Sequence, residues 1–115
     1  MDLRLLVLRT PYPKRLSEFY GLLGLSFDYH QHGNSPFHYS TMIGQTVLEI
    51  YPLTKSQTEV DKNLRLGFAI DHFDETINRL TASGIVFSQE PTQTEFGFIA
   101  VIVDPAGRKI ELYKK

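Results

Sequence analysis

The sequence has no cysteine. That excludes disulfides, thiolate metal sites and a cysteine nucleophile, and it accords with a cytoplasmic protein. It also has almost no net charge, because 12 lysines and arginines stand against 13 aspartates and glutamates. The basic residues are scattered apart from Lys114 and Lys115, so neither nucleic acid nor an anionic membrane is an expected partner. The N-terminal apolar run "LRLLVLR", flanked and closed by Arg4 and Arg9, is too short to span a bilayer. No small-residue cleavage site follows it, so no targeting signal is read. A glycine-rich loop between a strand and a helix is missing, which leaves nucleotide binding without support. Low-complexity tracts are missing as well.

What is present fits one domain over residues 1–115. The length lies in the commonest domain range of ~100–150 residues, and 42% hydrophobic content supplies a core. The run at residues 3–9 reads as a strand buried on both faces. After the break at "TPYP", Leu16, Phe19, Tyr20 and Leu23 form one helical stripe, closed by Gly24. "LSFDYHQ", "FHYSTMI" and "TVLEIYP" follow as strands separated by turns at "HGNSP" and "GQ", the pattern of an antiparallel meander. Residues 1–52 therefore read as a βαβββ module. The polar stretch 53–62 has no periodicity and reads as a linker.

Residues 63–115 repeat this order: strand "LRLGFAI", helix "DHFDETINRLTASG", then strands "IVFSQ", "FGFIAVIV" and "RKIELYK". Asp71 or Asp74 is the expected helix cap. "DPAG" places Asp, Pro and Gly where a type I turn followed by a left-handed residue wants them. The halves also match residue by residue. Leu6 falls on Leu66, Leu8 on Phe68, Gly24 on Gly84 and Phe27 on Phe87, while "LEIY" at residues 48–51 falls on "IELY" at 110–113. Such self-similarity points to a duplicated architecture: α+β, two βαβββ modules with paired curved mixed sheets around a cavity and one helix behind each sheet.

Strand alternation then sorts the side chains. Leu48, Ile50, Ile110 and Leu112 are expected under the helices. Glu49 and Tyr51, and their repeat partners Glu111 and Tyr113, point to the opposite face. Leu3, Leu5 and Val7 share that face in the first module, and Arg65, Gly67 and Ala69 share it in the second, where the small residues leave room for a ligand. A single glutamate of this kind is most simply a solvated one; two at repeat-related positions suggest a site.

These residues carry a family resemblance. "LSEFYGLLGLSF" resembles the helix-to-strand segment of the vicinal oxygen chelate superfamily, which includes glyoxalase I, bleomycin-resistance proteins, fosfomycin-resistance enzymes and extradiol dioxygenases. "VDPAGRKIELY" is similar to its closing turn and strand, and the likeness covers almost the whole chain. The resemblance implies paired βαβββ modules enclosing a cup-shaped cavity, and a homodimer. It also implies four metal-ligand positions, which fall here on Leu5, Glu49, Arg65 and Glu111. Leu5 cannot coordinate, and Arg65 carries a permanent positive charge and only donates. The expectation is therefore no metal and no cofactor, with Arg65 pairing the two glutamates.

The function this favours is metal-independent binding of a small molecule, of the bleomycin-resistance type, by Glu49, Arg65, Glu111, Tyr51, Tyr113, Leu5 and Val7. The alternative is a glyoxalase-like lyase, isomerase or dioxygenase in which a divalent metal acts or Glu49 or Glu111 serves as general base. An interaction module without a ligand ranks third. His30 and His32, two apart on a strand, share a face and could ligate a metal. They sit beside "GNSP" at an expected exposed hairpin end, and a third donor requires His38 from the next strand. His72 reads as a surface residue, and so does Ser17. Phe37, Tyr39, Phe96 and Phe98 supply further aromatic surface on the sheets.

Overall fold

In the first half, Pro13 opens a helix at its first turn, where a missing N–H costs nothing. The computed structural model describes residues 1–115. They divide into two compact units, Met1–Val60 and Asp61–Lys115, and the division falls within the polar stretch 53–62.

The first unit runs β1 (Leu5–Arg9), α1 (Pro13–Gly21), β2 (Asp28–His30), β3 (His38–Ile43) and β4 (Thr46–Tyr51). Its sheet has the order β1-β4-β3-β2, with β1 parallel to β4 and the other pairs antiparallel. Gly44, at φ 59°, supplies the positive φ that a two-residue hairpin turn needs at its first central position. That turn fixes the register: Met42 opposes Val47, Ser40 opposes Glu49 and Tyr39 opposes Ile50. Leu16, Phe19 and Tyr20 of α1 are buried with Leu8, Leu48 and Ile50 of the sheet, and α1 packs on β3 and β4. The helical stripe and the strand alternation were both legible. Leu23 lies beyond the helix end and is half-buried. Ser17 is buried rather than on the surface, and its hydroxyl donates to the Lys14 carbonyl at 2.7 Å.

The second unit runs β5 (Leu66–Ile70), α2 (Phe73–Ala82), β6 (Phe87–Thr94), β7 (Gly97–Val103) and β8 (Lys109–Lys114). The order β5-β8-β7-β6 repeats the first sheet, again with a parallel first pair. Phe73, Thr76 and Leu80 of α2 are buried, and Phe73 meets Phe98 of β7 edge to face at 5.7 Å. The "DPAG" turn forms as read. Gly107 donates to the Asp104 carbonyl at 2.9 Å with φ 91°, and the Asp104 carboxylate accepts from the backbone of Ala106 and Arg108.

Four expectations need correction. Neither Asp71 nor Asp74 caps α2, whose first residue follows His72 with no side-chain cap; both carboxylates pair with the C-terminal lysines instead. The first strand is not buried on both faces, since Leu3 and Leu5 are 65% and 53% exposed. β2 is shorter than "LSFDYHQ", and β6 is longer than "IVFSQ". Phe37 and Phe96 lie outside the strands and are exposed, Phe37 stacking on Tyr29 at 5.3 Å.

Candidate functional site

The sheet register of the first unit gathers polar side chains on the face away from α1. Val7 and Arg9 of β1 lie beside Glu49 and Tyr51 of β4. Ser40 of β3 lies opposite Glu49, and His30 of β2 lies opposite His38 of β3. Ser40 and His38 are two apart, so both share the face with Glu49. The short excursion between β2 and β3 then returns His32 to the same place.

The outcome is a group that the sequence alone left unassembled. His30, His32, His38 and Glu49 each offer one donor atom, and these atoms all lie within 4.8 Å of one another. The imidazole centres are 4.6 Å apart for His30–His32 and His30–His38, and 5.2 Å for His32–His38. His38 is wholly buried, and its Nε2 stands 3.4 Å from Oε2 of the Glu49 carboxylate. Its Nδ1 lies 3.0 Å from the Pro36 carbonyl oxygen. The Tyr51 ring stacks on His38 at 4.1 Å and 10°. On the other flank of Tyr51, the Arg9 guanidinium lies over the same ring at 4.9 Å and donates to the Pro52 carbonyl. Ser40 Oγ is 3.2 Å from His30 Nε2.

Two of these residues, Ser40 and Arg9, were not singled out from the sequence. The signal for Ser40 was available, because counting outward from the Gly44-Gln45 turn sets it opposite Glu49. His30 and His32 do lie at the hairpin end, and His38 is the third donor that the strand pattern required. His32 is exposed, but His38 and Glu49 stand against the pair.

The second unit presents a different face. Glu111 lies opposite Gly67 of β5 and Val101 of β7. Arg65 Nη2 stands 3.7 Å from Glu111 Oε2, with side chains 53% and 29% exposed. The Tyr113 hydroxyl is 3.5 Å from Glu111 Oε1. The space above Gly67 is not free for a ligand, because a Cβ there would meet Tyr113 Cε1 at 3.1 Å. The ring of Tyr113 already lies across the glycine. Arg65 also borders an open groove of about 330 Å³ with Lys62, Asn63, Gly107 and Lys109.

Arg65 was expected to pair both glutamates; in the second unit it makes a loose ion pair with Glu111, while Glu49 faces His38 within its own unit. At the four positions where the resemblance implies a metal, the residues do not fit one. Leu5 has no donor atom, and a guanidinium beside Glu111 repels a cation.

Comparisons with known proteins agree with the architecture. A sequence profile described as the Glyoxalase/Bleomycin resistance protein/Dioxygenase superfamily matches residues 3–112. No curated protein matches the chain. Among solved structures, TnmS3, an antibiotic binding protein from Streptomyces sp. CB03234, superposes with a TM-score of 0.80 at 21% identity, over 99% of this chain and 95% of that one. The oxidase ChaP-H2 superposes at 0.81 and 18% identity, over 100% and 94%. TioX from Micromonospora sp. ML1 superposes at 0.74 and 17%, over 97% of each chain. At such identities the structures speak for the fold alone. The profile, which spans nearly all of the sequence, shows that this chain belongs to the Glyoxalase/Bleomycin resistance protein/Dioxygenase superfamily.

Proposed function

We propose that the protein binds a small organic molecule, and that it does so without a metal held jointly by the four family positions. The observation that supports this is Arg65. Its guanidinium is half exposed and reaches Glu111 only at 3.7 Å, beyond a good hydrogen bond, so its donors are open to a ligand. Lys62 and Lys109 border the same groove. Three cations beside one carboxylate favour a ligand that carries an anionic group, which a guanidinium fork holds with two parallel bonds. Tyr113 stands on this face for a flat apolar part of the ligand. Glu49, Tyr51, Leu5 and Val7 form the repeat-related counterpart on the first sheet.

The likeness in fold to an antibiotic binding protein supports small-molecule binding as the class. No helix is long and apolar enough to cross a membrane. The reading takes the protein as a cytoplasmic homodimer, and sedimentation of the purified chain tests that part.

A thermal-shift screen of aromatic carboxylates and phosphates tests the binding. A ligand that binds only the folded chain raises Tm. The expected hits lose most of their shift in Arg65→Ala and keep it in Lys14→Ala, a substitution in α1. Hits that shift Arg65→Ala as strongly as the natural sequence contradict the reading.

A further inference from the structure

We infer that the first unit binds one divalent first-row transition ion, such as Zn2+, through His30, His32, His38 and Glu49. Around a four-coordinate ion with bonds of about 2.0–2.1 Å, the donor atoms stand roughly 3.3–3.4 Å apart. His38 Nε2 and Glu49 Oε2 already have this spacing, at 3.4 Å. All four donors fall within 4.8 Å, and the remaining contraction belongs to His30 and His32, whose half-buried and exposed rings can turn.

The hydrogen bonding points the same way. A carbonyl oxygen only accepts, so the contact with Pro36 puts the proton of neutral His38 on Nδ1. The Nε2 lone pair then faces a carboxylate oxygen, acceptor against acceptor, on a ring with 0% exposure. The Tyr51 hydroxyl is 3.4 Å from Nε2 but does not relieve this. The two rings are nearly parallel, so the hydroxyl lies over the imidazole face and out of the plane of the lone pair. A cation at Nε2 resolves the conflict. The Pro36 carbonyl becomes the outer partner that a metal-bound histidine commonly has.

A second proton on His38 would relieve the conflict between that ring and Glu49 as well. It would leave unexplained why the His30 and His32 rings converge on the same point. Three imidazoles and a carboxylate suit zinc, nickel, cobalt or iron better than magnesium or calcium. This donor set shares only Glu49 with the positions the family uses. It requires nothing of the second unit, and Glu49 is the one residue it shares with the proposed ligand face.

The test uses tag-free full-length chain, stripped with a chelator and titrated with Zn2+ by calorimetry, while imidazole nitrogens are followed by NMR. One Zn2+ per chain is expected. His30, His32 and His38 shift, while His72, the fourth histidine, does not. His32→Ala, at an exposed position outside the core, weakens uptake by more than about tenfold, since even outer partners change affinity by about that factor. No uptake of Zn2+, uptake that shifts His72 alone, uptake unchanged in His32→Ala, or an equal response to Mg2+ overturns the inference.

Discussion

Arg108 is the largest fully buried side chain in the molecule, at 1% exposure. A buried charge persists only when paired, and Asp104 supplies the carboxylate at 3.6 Å while Arg108 Nε donates to the Asp61 carbonyl at 2.9 Å. The sequence revealed Asp104 as a turn residue but not this second task, because nothing in the local pattern marks Arg108 as buried. Asp104→Ala removes the pairing and two backbone hydrogen bonds, and it is expected to cost about 3–5 kcal/mol in urea denaturation. Gly67 is a second case. Its small size suggested room for a ligand, yet the Tyr113 ring fills the space. Gly67→Ala is expected to cost about 1–3 kcal/mol through overpacking. Most of that cost should vanish when Tyr113→Ala is also present, as a double-mutant cycle measures. His38 was legible only as one histidine near two others. Its role follows from the hairpin register, which single-residue patterns do not contain.

At the scale of elements, the two helices and the βαβββ order of each unit were the most legible, because the helical stripes and the turn signals between strands are clear. The β6 strand was not. It carries Gln, Glu and Pro without alternation and pairs with β7 through two register shifts, between Phe87 and Gln89 and between Gln89 and Thr92. Pro91 is tolerated there because β6 is an edge strand and lies in the irregular stretch. For α2, capping residues were expected from composition, yet tertiary pairing took them. The Lys115 ammonium donates to Asp71 at 2.6 Å, and this bond, with the lysine charge, holds the Asp71 carboxyl below its ordinary value. A carboxylate lowered on folding adds stability above its unfolded titration range and loses it as pH falls through the folded one. Asp71→Asn is therefore expected to lower Tm slightly at neutral pH, since the pair is exposed, and to converge with the natural sequence in acid. Leu80, 0% exposed on α2, anchors the helix core. Leu80→Ala should cost about 2–5 kcal/mol in the same urea experiment.

At the scale of the whole molecule, the repeat was legible and set the account. Both units build the same sheet order, and Glu49 and Glu111 hold equivalent places in it. The faces have nevertheless acquired different chemistry. One glutamate stands among three imidazoles, and the other beside an arginine and a tyrosine. That divergence could not be read from matching strands, because it arises from neighbours brought in across the sheet and from the β2–β3 connection. Its most direct test is anomalous diffraction at the zinc edge from a crystal of tag-free chain grown with Zn2+. A single peak coordinated by His30, His32, His38 and Glu49 is predicted; a peak at Glu111, or none in the first unit, would contradict it.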